Sequence, residues 1–120
     1  MAPAVISVTA ETSIDDAMDI LFEKQISGLP VVDENGRLIG IVSEADRLKI
    51  LTNPQHSESA LVADIMTRGV VIVDENTSFS QAADLLMRVG IRRLPVMRDG
   101  CVVGIISRRD LLKAIHQRTV

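Results

Sequence analysis

One short motif near the end of the chain combines groups that bind sugars and phosphates. Ser107 follows an apolar run typical of a β-strand, and Asp110 lies in the first turn of the helix predicted after it. The free N–H groups and the positive dipole end of a helix N-terminus attract phosphate. The Asp110 carboxylate can accept hydrogen bonds from two vicinal hydroxyls, and Arg108 and Arg109 can bind phosphate through paired hydrogen bonds. The motif therefore predicts a site for a ligand with both a diol and a phosphate.

A structural role explains the same spacing. A serine followed three residues later by an acid also forms an ordinary N-terminal cap, with the acid near the positive end of the helix dipole. The arginines likewise suit a solvated basic face, or salt bridges to Asp84 or Asp99. A cap and a ligand contact are compatible, so both interpretations stay open.

The same motif occurs earlier in the chain with different neighbours. Ser43 and Asp46 repeat the spacing, but Glu44 stands where the later copy has Arg108. A partly solvated glutamate in the first helical turn would repel a phosphate by about 1 kcal/mol. We therefore expect the Asp110 site to take a charged ligand, and the Asp46 site to be empty, weak or suited to a ligand with less negative charge.

The duplication extends over most of the 120 residues. The offset is about 65 residues and falls by one at the turn 33–36, which is one residue longer than its later counterpart. A true structural repeat tolerates a length change in a turn. We place the first repeat at residues 1–58 and the second at 59–120, together forming one module. The matched positions include Thr12/Thr77, Ser13/Ser78, Ala17/Ala82, Asp19/Asp84, Leu21/Leu86, Ile26/Ile91, Leu29/Leu94, Pro30/Pro95, Val31/Val96, Gly36/Gly100, Gly40/Gly104, Ile41/Ile105, Ser43/Ser107 and Asp46/Asp110.

Hydrophobic periodicity and turn residues predict the order strand, helix, strand, strand, helix in each repeat. Thr12 or Ser13 caps the first helix, and Asn35-Gly36 marks a hairpin turn. A polar linker at residues 52–59 follows the elements of the first repeat. In the second repeat the apolar face of the first helix runs from Ala82 to Val89. The predicted elements are strands at 6–8, 29–32, 38–42, 70–73, 94–97 and 102–106, and helices at 14–24, 44–51, 61–66 and 108–117.

Composition excludes several classes of protein. Hydrophobic residues make up 47% of the chain, which suits a globular core. Two Phe without Trp or Tyr leave few platforms for base stacking, and the net charge of −3 argues against a nucleic-acid or membrane surface. No apolar stretch approaches the roughly 18 residues of a membrane span, and no signal peptide is visible. We expect a cytoplasmic protein.

The sequence offers no catalytic or metal constellation. Cys101 is the single cysteine, which excludes an internal disulfide, and its apolar surroundings predict a buried structural thiol. His56 and His116 are far apart in sequence, so no metal site is predicted. No nucleophile elbow, P-loop or pair of carboxylates stands out. We predict that the chain is not an enzyme.

The repeated unit resembles a cystathionine-beta-synthase (CBS) domain, and the tandem resembles a CBS domain pair, or Bateman module. Leu-Pro-Val before each turn, Gly-Ile with Ser-x-x-Asp after it, and Asp64-Ile65-Met66-Thr67 ahead of the second copy carry the resemblance. The first copy lacks this Met-Thr lead-in and has residues 1–5 instead. The resemblance implies an α/β (α+β) fold in which two repeats pack sheet to sheet with pseudo-two-fold symmetry and leave two equivalent clefts.

The resemblance also implies ligands and site residues. Members of the family bind AMP, ADP, ATP or S-adenosylmethionine in these clefts; here we expect AMP or ATP, with no required cofactor. Asp110 would bind the ribose and Ser107 would lie near phosphate. The preferred site comprises Thr67, Gly69, Val70, Arg93, Leu94, Pro95, Ser107, Arg108, Arg109 and Asp110. The second, weaker site comprises Ile6, Gly28, Leu29, Pro30, Ser43, Glu44 and Asp46.

Two functions follow from the resemblance. The first is a regulatory module that senses adenosine-containing nucleotides and acts on a fused or separate effector protein. The alternative is a structural dimerisation module without a functional nucleotide site. A homodimer is expected in either case, and Met87 and Val89 are candidates for an apolar helix face that it would use.

Overall fold

The structure, a computed structural model, describes residues 6–52 and 60–118. They form two compact units: the described residues of Ile6–Val70 make up the first, and residues 71–118 belong to the second. The lead-in at residues 1–5 and most of the predicted linker, residues 53–59, lie outside the described residues.

The first unit has the predicted order of strand, helix, strand, strand, helix, followed by one short helix. Its sheet has the order β1-β2-β3, in which β2 pairs parallel with β1 and antiparallel with β3. The elements are β1 (Val8–Thr9), α1 (Ile14–Lys24), β2 (Gly28–Val32), β3 (Leu38–Ser43), α2 (Glu44–Thr52) and α3 (Val62–Ile65).

Local chemistry sets the bounds of α1 and of the β2–β3 hairpin. Ser13 Oγ accepts a hydrogen bond from Asp16 N at 3.1 Å, which caps the helix as predicted. The helix ends where Gln25 adopts a left-handed conformation with φ 54°. In the turn, Asp33 Oδ1 accepts hydrogen bonds from the backbone of Asn35 and of Arg37, and Gly36 supplies the positive φ.

The segment after residue 60 completes the core of the first unit. Val62 and Ile65 are fully buried against α1 and the sheet, and Val62 N donates a hydrogen bond to Thr12 O at 2.8 Å. Division of the repeats after residue 58 stays a prediction, whereas the compact unit extends to Val70. The buried cluster comprises Val8, Ile14, Ala17, Met18, Leu21, Leu29, Val31, Val42, Ala60, Val62, Ile65 and Met66.

The second unit repeats the same topology. Its sheet has the order β4-β5-β6, with parallel β4–β5 and antiparallel β5–β6 pairing. The strand register shifts between Val96 and Met97, the position equivalent to the shift between Val31 and Val32 in the first sheet. The repeat read from the sequence is therefore a repeat of structure. The elements are β4 (Val73–Asp74), α4 (Phe79–Leu86), β5 (Arg93–Arg98), β6 (Cys101–Ser107) and α5 (Arg108–Arg118).

An exposed ion pair joins Arg98, the last residue of β5, to Glu75, which follows β4. Arg98 Nε donates a hydrogen bond to Glu75 Oε2 at 2.7 Å, and this bond lowers the pKa of Glu75 below its ordinary value. Both side chains are exposed to solvent, so the pair contributes little to stability.

Four expectations about local structure were wrong. The strands predicted at 6–8 and 70–73 are shorter and begin later, at Val8–Thr9 and Val73–Asp74. Parallel pairing with the next strand reaches only two residues of each. The helix face predicted to extend to Val89 ends with α4 at Leu86. Cys101 is exposed, since it begins β6 directly after the turn and pairs with Arg98 at the turn end of the hairpin.

The approach of the 66–67 segment to β3 requires a glycine at position 40. Thr67 and Ile41 exchange two backbone hydrogen bonds, of 3.0 and 2.8 Å. A Cβ on Gly40 would lie 2.8 Å from Thr67 O and 3.0 Å from Met66 Sδ. The backbone carbonyl cannot retreat without breaking the bonds that hold this segment.

We expect Gly40→Ala to lower the free energy of unfolding by about 1 to 3 kcal/mol, the usual cost of overpacking. Urea unfolding followed by circular dichroism measures the loss. The matched control is Gly104→Ala at the equivalent position, where no described residue lies within 4 Å of the added Cβ. An equal loss in the two variants would contradict this account of Gly40.

Candidate functional site

The Ser107–Asp110 motif lies where β6 ends and α5 begins. Asp110 N donates a hydrogen bond to Ser107 Oγ at 3.2 Å, and Ser107 N donates one to Asp110 Oδ2 at 3.0 Å. The N-terminal cap weighed as the structural alternative is therefore present. It uses only one carboxylate oxygen: Asp110 is exposed, and no described residue donates a hydrogen bond to its Oδ1. The second oxygen is available to a ligand.

The two arginines at the start of α5 differ. Arg108 Nε donates a hydrogen bond to Leu86 O at 2.7 Å, which ties this side chain to the C-terminal end of α4. Arg109 is exposed and has no hydrogen bond or ion pair with a described residue. Neither arginine forms the salt bridges to Asp84 or Asp99, as far as the described residues extend, so of the two structural alternatives only the solvated basic face fits the exposed Arg109. Arg109 is thus the better placed of the two to meet an anion.

The β5 residues reach this junction through the ladder between β5 and β6. Arg93 is the register partner of Ser107, so the structure brings these two predicted site residues together. Leu94 and Pro95 follow with fully buried side chains, and Leu94 belongs to the core of the second unit. Only the main chain of Leu94 and Pro95 is therefore offered to a ligand.

Three residues predicted for the preferred site belong to the first unit. Thr67 is exposed and pairs through its backbone with Ile41 of β3. Gly69, with φ 65°, and Val70 follow at the end of the same unit. The structure places Thr67 beside the strand that leads to Ser43.

The Ser43–Asp46 motif lies at the equivalent junction, where β3 ends and α2 begins, but its side chains are buried. Ser43 and Asp46 are buried, at 6% and 7% exposure. Asp46 Oδ2 accepts hydrogen bonds from Ser43 N at 2.8 Å and from Ser43 Oγ at 3.3 Å. Asp46 Oδ1 lies 2.9 Å from Lys49 Nζ, which also donates to Ile65 O at 2.7 Å. Both carboxylate oxygens of Asp46 are therefore engaged within the protein.

Sequence reasoning missed Lys49. The only available signal was its spacing of three residues from Asp46, and Lys113 has the same spacing from Asp110. Lys113 forms no ion pair with a described residue. The spacing alone could not distinguish the two lysines.

The other residues of the second predicted site are only partly gathered. Gly28 is the register partner of Ser43, and Leu29 and Pro30 continue β2 with fully buried side chains. Glu44 begins α2 and is exposed, whereas Ile6 precedes β1 with 42% exposure. A surface pocket of about 350 Å³ includes Glu44 but neither Ser43 nor Asp46; its lining residues are Leu21, Phe22, Gln25, Ile26, Ser27 and Glu44.

Two further predictions concern absent features. Residues 6–52 and 60–118 contain no group of three or more His, Cys, Asp or Glu side chains placed to hold a metal ion. Within the same ranges, no helix has the length and apolar character needed to cross a membrane.

Comparison with known proteins gives a consistent family. The family model for the CBS domain matches residues 1–53 and again 62–117. The chloroplastic CBS domain-containing protein CBSX2 of Arabidopsis thaliana is 32% identical over 138 residues, covering 92% of this chain and 58% of that protein. The crystal structure of CBSX2 in complex with AMP is 36% identical and superposes with a TM-score of 0.84, covering 97% of this chain and 90% of that one.

Two other relatives extend the comparison. The CBS domain pair of protein MJ0100, in complex with 5′-methylthioadenosine and S-adenosyl-L-methionine, is 29% identical with a TM-score of 0.84, covering 98% of this chain and 92% of that one. Inosine-5′-monophosphate dehydrogenase of Nitrosopumilus maritimus is 39% identical over 106 residues, which cover 88% of this chain but 21% of that enzyme. The chain thus spans between about one fifth and three fifths of these curated relatives. The chain belongs to the CBS domain family, and it carries two copies of that domain in tandem.

Proposed function

We propose that this CBS pair is a regulatory module that binds an adenosine-containing nucleotide at the β6–α5 junction. The observation that carries the proposal is the state of Asp110, whose exposed carboxylate keeps one oxygen without a described partner at the start of a helix. Related pairs bound to AMP, in CBSX2, and to S-adenosyl-L-methionine and 5′-methylthioadenosine, in MJ0100, support an adenosyl ligand.

Each group at the junction has a chemical role in this proposal. Asp110 Oδ1 accepts hydrogen bonds from the ribose hydroxyls, while Oδ2 keeps the cap on α5. The first-turn N–H groups, Ser107 and Arg109 bind phosphate. Assignment of the adenine to Thr67, Gly69 and Val70, and to the main chain of residues 93–95, stays a prediction. AMP or ATP is the proposed ligand.

The Ser43–Asp46 motif is proposed as the weaker site. Its carboxylate is buried and engaged on both oxygens, and Glu44 adds negative charge where a phosphate would lie. Both features favour a ligand with little negative charge, or an empty site.

The proposed role in the cell is to regulate a fused or separate effector, without catalytic activity of its own. A ligand shifts the equilibrium between two conformations of such a module only as far as its affinities for the two conformations differ. We further propose a cytoplasmic homodimer. The exposure of Met87 and Val89, which follow the end of α4 at Leu86, is 80% and 102% and supports an apolar contact surface there.

Isothermal titration calorimetry of the full chain with AMP, ATP and S-adenosylmethionine tests the proposed function. We expect micromolar binding of at least one of them. Absence of heat with all three, together with a dimer on size-exclusion chromatography, would favour the structural dimerisation module instead.

Arg109→Ala should weaken AMP binding by about fivefold, because one partly solvated charge contributes about 1 kcal/mol to phosphate binding. Adenosine, which lacks phosphate, should bind the variant as it binds the unmodified chain. Titration calorimetry with the two ligands measures the difference.

Arg108→Ala is the matched variant, since it removes the neighbouring guanidinium and with it the hydrogen bond to Leu86 O. We expect this variant to lose about 1 kcal/mol of unfolding free energy and to keep more of its AMP affinity than Arg109→Ala. Equal loss of adenosine and AMP binding in Arg109→Ala would show that Arg109 does not act on the phosphate.

A further inference from the structure

Lys49 closes the first copy of the Ser-x-x-Asp motif. Its Nζ lies 2.9 Å from Asp46 Oδ1, while the other carboxylate oxygen is engaged by Ser43 N at 2.8 Å. A ribose diol binds a carboxylate by donating its hydroxyl protons to free oxygen lone pairs. The ammonium of Lys49 takes one acceptor position of Asp46 Oδ1 and lies against that oxygen, so the two hydroxyls of a diol cannot both bind there as they can on a carboxylate oxygen with no partner.

The position of the Lys49 ammonium is fixed from a second side. Lys49 Nζ also donates a hydrogen bond to Ile65 O at 2.7 Å. The Ile65 side chain is buried at 1% exposure, and the preceding Val62 is fully buried and hydrogen-bonded to Thr12 O. Packing of Ile65 in the core therefore fixes the position of the carbonyl to which Lys49 donates.

The second copy of the motif lacks this closure. Asp110 is exposed, whereas Asp46 is 7% exposed. Lys113 stands at the position equivalent to Lys49 but forms no ion pair or hydrogen bond with a described residue. The two motifs share their serine, aspartate and lysine but differ in burial and in the two residues between serine and aspartate. Among these differences, the contact that Lys49 makes is the one that acts directly on the carboxylate.

We infer that Lys49 is a specificity-determining residue: it occupies Asp46 and so leaves this chain with one nucleoside site instead of two. This role of Lys49 rests on the proposed function, because it presupposes that the open Asp110 motif binds a nucleoside. The ligand class kept away from Asp46 is any ribonucleoside with a free 2′,3′-diol.

Adenosine is the probe for this role, because it carries the diol without a phosphate that Glu44 would repel. We expect titration calorimetry to give one adenosine per chain for the unmodified protein and two for Lys49→Ala. The double variant Lys49→Ala/Asp46→Asn should return to one. Lys49→Met, which keeps the apolar stem but not the ammonium, is the second variant, and thermal melting identifies the variants that are folded.

A matched control separates Lys49 from the equivalent lysine of the second repeat. Lys113→Ala removes that lysine and should still bind one adenosine. A folded Lys49→Ala or Lys49→Met that binds one adenosine, as the unmodified chain does, would overturn the role of Lys49 and leave the proposed function standing.

The remaining outcomes are equally informative. If neither the unmodified chain nor the Lys49 variants bind adenosine, the role of Lys49 fails; the proposed function fails with it only if AMP, ATP and S-adenosylmethionine also give no heat. If only the Lys49 variants bind it, and Asp46→Asn abolishes that binding, the role of Lys49 stands and the assignment of the nucleoside to Asp110 is overturned.

Discussion

Asp110→Asn is expected to weaken AMP binding by roughly 30- to 160-fold. The variant replaces the carboxylate with a neutral amide, so charge-assisted hydrogen bonds to the ribose are lost, at a cost of about 2 to 3 kcal/mol. An asparagine oxygen can still accept the hydrogen bond from Ser107 N that caps α5. The loss should therefore appear in affinity, measured by titration calorimetry, with little change in melting temperature.

Asp46→Asn is the matched control at the equivalent position. Because Asp46 is buried and already engaged by Ser43 and Lys49, we expect this variant to keep its AMP affinity while losing stability. Full AMP affinity in Asp110→Asn, or its loss in Asp46→Asn alone, would contradict the assignment of the ribose to Asp110.

Leu29→Ala is expected to produce the largest loss of stability, about 3 to 5 kcal/mol. Leu29 is fully buried at the centre of the first core, where neighbours such as Leu21 and Val31 are buried too. Such a site collapses poorly around a cavity, which places the cost near the upper end for leucine truncation. Urea unfolding followed by circular dichroism measures it.

Leu94→Ala removes the equivalent leucine of the second repeat. Leu94 is also fully buried, but Val96 and Ile106 beside it are only partly buried. Neighbours nearer the surface can move to fill the cavity, so we expect a smaller loss of about 2 to 3 kcal/mol. A greater loss for Leu94→Ala than for Leu29→Ala would show that the second core is the more rigid one.

Much of the fold could be predicted because its signals are local. The cap at Ser13 and the hairpin turn at Asn35-Gly36 each involve neighbours within a few residues. Because the pattern occurs twice, most of these local signals occur in both repeats, and together they predicted the order of elements in each.

The features that depend on a distant partner could not be predicted in this way. The lengths of β1 and β4 are set by how far their parallel neighbours extend. Exposure of Cys101 follows from its position next to the turn of a hairpin, whereas its apolar neighbours in sequence suggested burial.

The candidate site shows the same division. Ser107 and Asp110 could be identified from spacing, and the structure adds that one oxygen of Asp110 caps α5 while the other has no described partner. The hydrogen bond from Arg108 to Leu86 O joins residues 22 apart in sequence, and the one from Lys49 to Ile65 O joins residues 16 apart. No local pattern encodes these contacts.

A crystal structure of the full chain grown with AMP tests the central claim most directly. The proposal predicts electron density for AMP with its ribose hydroxyls on the Asp110 carboxylate, its phosphate near Ser107 and Arg109, and no ribose on Asp46. A ribose bound to Asp46 with Asp110 unoccupied would contradict it.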